Sequence, residues 1–252
     1  MRGLFVTGTD TGVGKTVLSA SLLAALRAAG EPVSAYKPAV TGLDEPLQDD
    51  RQTPWPADHE LLGAAAGIAP EQVAPLRYGP AVSPQLAAEL AGEPLSRERV
   101  LEAARAALAA ASASTDDEPT GGEGRTLIVE GAGGLLSPLA EELTVCDLAV
   151  AMRLPLLIAA RAGLGTINHT LLTLQVARAH GLNVRAVVLT PWPDRPSLLE
   201  QSNRTTIARF GFVEVDTLAY AATPAIDELA RVGDELPWRR WLGERTRVAQ
   251  AS

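Results

Sequence analysis

A short apolar run at residues 4–7, Leu-Phe-Val-Thr, leads directly into Gly-Thr-Asp-Thr-Gly-Val-Gly-Lys-Thr at residues 8–16, and an Ala- and Leu-rich helical pattern begins at Lys15. A strand, a glycine loop and a helix in immediate succession leave a chain few ways to fold. The loop must turn sharply, which glycine permits because it has no Cβ. Backbone N–H groups of the loop and of the helix N-terminus then converge on one point, where the helix dipole adds positive potential. Such a point binds phosphate. Gly12, Val13, Gly14, Lys15, Thr16 and Val17 form the expected cradle, with Lys15 reaching the outer phosphates and the Thr16 hydroxyl available to Mg²⁺. The spacing departs from G-x-x-x-x-G-K-T, because Thr9 stands where the first glycine is usual and Gly8 comes one residue early.

The alternation that opens the chain continues along it. Strand-like runs at 32–36, 126–130, 155–160, 184–190 and 213–218 are interleaved with helical patterns at 15–29, 58–66, 84–91, 97–111, 166–180 and 197–210. This pattern predicts an α/β protein of the P-loop NTPase fold, a mainly parallel sheet flanked by helices on both faces. A length of 252 residues suits one such domain. Residues 112–124, rich in Gly, Pro, Ser and acids, read as a flexible polar surface loop within it, because the strand that follows has no sheet of its own. The tail from Asp227 is amphipathic and ends in an exposed basic stretch. No apolar run reaches the roughly 18 residues that span a bilayer, and no secretory signal precedes the first strand, so a cytoplasmic protein is expected.

A net charge of −8 argues against nucleic-acid and anionic-membrane partners, which call for a basic surface. Lysine occurs only twice among 22 basic residues, as Lys15 and Lys37. A codon bias towards arginine explains the scarcity, and it marks both survivors as candidates for places where a compact ammonium cannot be exchanged for a guanidinium. Lys37 lies in Ala-Tyr-Lys-Pro-Ala-Val-Thr-Gly (35–42), at the end of the second strand, where open α/β sheets bind ligands. Thr41 adds a hydroxyl nearby. In Val-Glu-Gly-Ala-Gly-Gly (129–134), Glu130 offers a hard oxygen ligand for Mg²⁺ at a strand end, and Gly131, Ala132 and Gly133 permit close backbone approach to a nucleotide. Asp58 opens a helix, either as its N-cap or as a further Mg²⁺ ligand, with Asp49 and Asp50 as alternatives for the metal. His59, His169 and His180 have no zinc-site spacing, and the single cysteine, Cys146, reads as a small apolar residue on a buried helix face.

Taken in order, GTDTGVGKT, AYKPAVTG, VEGAGG and LGTINHT (164–170) resemble the motif set of dethiobiotin synthetases over about residues 1–220. The resemblance implies closure of a ureido ring from 7,8-diaminononanoate, CO₂ and ATP, in a homodimer. It implies that Lys37 and Lys15 serve the reacting centre, and that Thr16, Asp58 and Glu130 hold Mg²⁺. Thr11 and Thr41 would meet the substrate, Thr41 standing where the family usually has serine. Gly165, Thr166, Ile167 and Asn168 would offer helix N-terminal N–H groups to the substrate carboxylate of the partner subunit. Thr190 and Pro191 stand where many members carry an asparagine that reads the adenine of the nucleoside triphosphate. A contrasting reading, a partitioning-type switch ATPase, wants KGGVGKT, whose signature lysine is replaced here by Asp10.

Overall fold

The computed structural model describes residues 1–44, 55–113 and 124–243. The chain begins with β1 (Gly3–Gly8), α1 (Lys15–Ala28) and β2 (Val33–Tyr36), followed by four helices, α2 (Asp58–Ala66), α3 (Pro70–Val73), α4 (Pro84–Leu90) and α5 (Arg97–Ser112). Next come β3 (Thr126–Gly134), a short pair β4 (Pro138–Ala140) and β5 (Leu143–Thr144), and α6 (Val145–Met152). The remainder alternates: β6 (Leu156–Ala160), α7 (Thr166–Ala179), β7 (Val184–Trp192), α8 (Leu198–Gly211), β8 (Val215–Ala219), then α9 (Ile226–Asp234) and α10 (Trp238–Leu242).

Six strands form one sheet in the order β2-β3-β1-β6-β7-β8, and every pairing in it is parallel. Parallel strands buried on both faces need apolar residues on both, and all six residues of β1 are buried. The two-residue period of the strand sends Phe5 into one core and Leu4 and Val6 into the other. The core that takes Phe5 holds Val100 of α5, Leu148 of α6, Leu174 of α7 and Ile207 of α8. The opposite core holds Leu18 and Leu22 of α1, Leu62 of α2, Leu229 of α9 and Trp238 of α10. On that side α9 approaches α1 so closely that a Cβ on Gly233 would stand 2.1 Å from the Ser21 carbonyl oxygen.

Several boundaries differ from the sequence reading. β3 does not end at Glu130 but runs on to Gly134, and β7 passes Thr190 to reach Trp192, which pairs with Ala219. Both extensions pass through Gly or Pro, residues that read as strand ends when neighbouring strands cannot be seen. Asp58 is the first residue of α2 and not its N-cap, which is Ala57. α3, β4 and β5 are short and carry no strong periodic signal in the sequence, whereas α6, the helix that holds Cys146, starts on a capping box between Thr144 and Asp147. Cys146 lies buried in α6, as read. The tail is amphipathic, with Arg239 and Arg240 exposed, yet Trp238 and Trp241 on either side of the pair are buried. The candidate loop 112–124 lies mostly outside the described residues, as do Asp49 and Asp50. Among the described residues no helix is long and apolar enough to cross a membrane.

Candidate functional site

Chain order and strand order part company at β1: the chain goes on to β2 and β3 on one side and returns to β6 on the other. The C-terminal end of β1 is therefore a switch point, where the connecting loops diverge and leave a crevice. The loop that crosses it turns through left-handed Gly12 (φ 68°) and Gly14 (φ 92°) before entering α1. Gly8 explains the displaced first glycine of the motif. A Cβ there would lie 2.8 Å from the Asp10 carbonyl oxygen, 2.8 Å from a methyl of Val13 and 3.0 Å from Lys15 Nζ, so the loop folds back onto residue 8.

Four elements deliver charged groups to this crevice. Lys37 leaves β2 and is buried. Its Nζ lies 2.5 Å from Glu130 Oε1 in β3 and 2.9 Å from Asp58 Oδ2 at the head of α2. The Thr16 hydroxyl, at the start of α1, donates to the same Glu130 Oε1 at 2.9 Å. The other oxygen, Oε2, is buried with no hydrogen-bond partner among the described residues. Lys15 Nζ donates to the Asp10 carbonyl at 2.9 Å, occupied by the loop's own backbone. Burial alone would drive the Lys37 proton off, but Asp58 and Glu130 outweigh it and hold its pKa above the ordinary value. Its two carboxylate partners thus favour the ammonium form of Lys37. Lys15 moves the other way: burial lowers its pKa, and the attraction of Glu130 only partly offsets this. For Asp58, desolvation pushes the pKa up, and the charge and hydrogen bond of Lys37 pull it below the usual carboxylate value.

The cleft around these groups has a volume of about 770 Å³. Thr11, Gly12, Gly14, Lys15, Thr16 and Val17 line one side, with Lys37, Thr41, Asp58, Ala132 and Gly133. Its remaining wall is mostly apolar, with Trp55, Pro56, Leu61, Val82, Pro84 and Pro138 set among two serines, Ser83 and Ser137. Such a wall has no motif, because it is assembled from four separate segments. The stretch that carries Lys37 and Thr41 is laced to residues 73–80 by backbone hydrogen bonds, from Lys37 N–H to Val73 C=O (2.9 Å) through Tyr78 N–H to Val40 C=O (2.9 Å) to Asp44 N–H to Gly79 C=O (3.1 Å).

Other candidates stand elsewhere. Val13 is turned into the core below the loop, so only its backbone faces a ligand. Gly131 faces Val145 and Phe5, within 3.2 Å of where its Cβ would be, and not the cleft. Thr190 and Pro191 do not line the cleft either; Thr190 is buried against the phosphate loop, its Oγ1 3.1 Å from the position of a Cβ on Gly14. Gly165, Thr166, Ile167 and Asn168 open α7 at the end of β6, beside Leu164, which is 90% exposed. Further along, α7 lines a separate, shallower cavity of about 410 Å³ through His169, Leu172, Thr173 and Val176, opposite Thr9, Asp10 and Leu136.

Comparison with known proteins bears on this geometry. A family model described as AAA domain matches residues 2–229. The protein of Anaeromyxobacter dehalogenans named ATP-dependent dethiobiotin synthetase BioD is 44% identical over 219 residues, covering 85% of this chain and 87% of its own. A protein of the same name from Mycobacterium marinum is 38% identical over 244 residues, covering 96% and 98%. That of Caulobacter vibrioides is 38% identical over 201 residues, covering 79% and 84%. With a strand, phosphate loop and helix at the sheet's switch point, and likeness of this extent along nearly the whole chain, the protein belongs to the AAA domain family of P-loop enzymes and, within it, to the dethiobiotin synthetases.

Proposed function

We propose that this chain is an ATP-dependent ligase that closes the ureido ring of dethiobiotin from 7,8-diaminononanoate, CO₂ and ATP, releasing ADP and phosphate, in biotin biosynthesis. The observation that carries the reading is the buried Lys37 ammonium, held between Glu130 and Asp58 within the same cleft as the phosphate loop. A neutral amine of the substrate takes up CO₂ as a carbamate and loses a proton. A carbamate oxygen then attacks the γ-phosphorus of ATP, and ADP leaves. The second amine attacks the carbon of the mixed anhydride, phosphate leaves, and the ring is closed. Anionic charge gathers at the same place in each step, so catalysis asks for fixed positive charge and positioning, not for a covalent intermediate.

Each group has a place in this scheme. Backbone N–H groups of Gly12 to Val17 and the Lys15 ammonium receive the phosphates; Lys37 faces the carbamate and the phosphorus under attack. Thr11 and Thr41 line the cleft with hydroxyls for the amines, and its apolar wall suits the hydrocarbon chain of the substrate. Thr16, Glu130 and Asp58 fit Mg²⁺: the buried Glu130 Oε2, without a partner among the described residues, is an oxygen in want of a cation, and two carboxylates with a hydroxyl suit a metal that also takes phosphate oxygens. When bound, Mg²⁺ would neutralise phosphate charge. Likeness to the family, and the place of the α7 N-terminus outside the cleft, support assigning Gly165 to Asn168 to the substrate carboxylate in the partner subunit of a homodimer. We take the chain as one domain acting in the cytoplasm. A partitioning-type switch is disfavoured, since Asp10 brings negative charge where that class carries its signature lysine.

The test is phosphate release from ATP in the presence of Mg²⁺. It should require diaminononanoate and bicarbonate together, and release that persists without the diamine would overturn the proposal.

A further inference from the structure

Arg161, the first residue after β6, lies outside the cleft, and the reaction itself assigns it nothing. Its Nη2 donates to the Thr11 carbonyl at 3.2 Å and stands 3.5 Å from where a Cβ would be on Gly12. The Thr11 carbonyl and the Gly12 N–H belong to one peptide group, at the point where Gly12 turns the loop. The preceding peptide is held as well: Thr11 N–H donates to Asp10 Oδ1 at 2.7 Å. Arg161 reaches the loop from a rigid base. Ala160 before it and Ala162 after it are buried, and the carbonyls of Ala162 and Gly163 accept from the buried Asn203 Nδ2 at 2.8 and 3.0 Å. Among the described residues the guanidinium has no carboxylate partner, so its charge is directed at the loop.

We propose that Arg161 is a positioning residue of the phosphate loop. In a trans peptide the C=O and N–H point in opposite directions. A carbonyl turned outward to Arg161 therefore turns the Gly12 N–H inward, to the cleft that Gly12 lines. A carbonyl that accepts from a cation also polarises its amide, and the N–H becomes a stronger donor. The ligand it serves is an anionic phosphate oxygen beyond the first, because the loop and Lys15 surround the outer end of the polyphosphate. The inference deepens the assignment of the cleft to ATP and rests on it.

Dissociation constants for Mg·ATP without diamine, so that no turnover occurs, and for AMP test this in the wild type, Arg161→Met and Arg161→Lys. Methionine keeps an unbranched stem and loses the charge. It should weaken ATP about tenfold, as expected for one charge-assisted hydrogen bond. AMP affinity and Tm should be unchanged, and lysine should restore part of the loss. Unchanged ATP affinity in Arg161→Met, or equal loss for ATP and AMP, would overturn the role while leaving the nucleotide assignment intact. A wild type that binds no ATP would overturn that assignment and the inference together.

Discussion

Nζ of Lys37 lies 2.5 Å from Oε1 of Glu130, with both side chains almost wholly buried. The ammonium is thereby fixed in charge and in place. Arginine keeps the charge but spreads it over a larger plane, which the space between Glu130 and Asp58 was not built to hold. Lys37→Arg should lower kcat by roughly a hundredfold or more, in the range for losing a preorganised charge at a reacting centre. A turnover close to wild type would remove Lys37 from the reaction.

Glu130 gives one oxygen to Lys37 and Thr16, and the other has no hydrogen-bond partner among the described residues. An amide oxygen is a weaker ligand for a hard cation, so Glu130→Gln and Asp58→Asn should each raise the Mg²⁺ needed for half-maximal rate, by about tenfold. The Mg²⁺ titration of initial rate reads this. If Asp58→Asn leaves it unmoved and Asp49→Asn or Asp50→Asn shifts it, the metal is held by the other aspartate.

Lys15 is the group through which pH should act. Burial sets its pKa below 10.5, the value for a free lysine. Between the two values the unfolded chain binds more protons than the folded one, so this group's contribution to stability rises with pH. Phosphate binding has the opposite sign, because it requires the ammonium. ATP affinity should therefore fall with rising pH before 10.5 is reached, and Lys15→Met should bind weakly at every pH with that dependence gone. A wild-type affinity that stays flat up to 10.5 contradicts this.

Gly233 provides a stability test away from the site. Its missing Cβ would stand 2.1 Å from the Ser21 carbonyl oxygen and 3.1 Å from the Ala25 methyl, so alanine must push α9 off α1. Gly233→Ala should destabilise by about 1–3 kcal/mol through overpacking, despite the better helix propensity of alanine. Chemical denaturation measures it, and a neutral or stabilising result would show that the two helices can part freely.

The nucleobase should be read loosely. Thr190 is buried against Gly14 and Pro191 has no N–H, so neither offers the amide that pairs with adenine. Backbone carbonyls accept only from an exocyclic amine, which adenine and cytosine present and guanine and uracil replace by a carbonyl. ATP and CTP should both serve, with GTP and UTP poorer. Measured kcat/KM values for the four triphosphates check this; a preference for ATP over CTP beyond about a hundredfold, roughly 2.7 kcal/mol, would reveal an adenine-reading group.

The phosphate loop, the α/β alternation and the two lysines were legible in the residues, because each depends on local chemistry: glycine where φ is positive, apolar period, an ammonium kept where arginine is otherwise universal. Glu130 was legible as a candidate from its place in the motif, but not the fact that one of its oxygens serves Lys37 and Thr16 together. That arrangement joins residues 16, 37, 58 and 130, and only the order β2-β3-β1 brings Lys37, after β2, and Thr16, in the helix after β1, to either side of Glu130 in β3. The extension of β3 and β7 through Gly and Pro, the apolar wall of the cleft and the approach of Arg161 to Thr11 have the same origin. They are contacts between segments distant in sequence, and no local propensity encodes them.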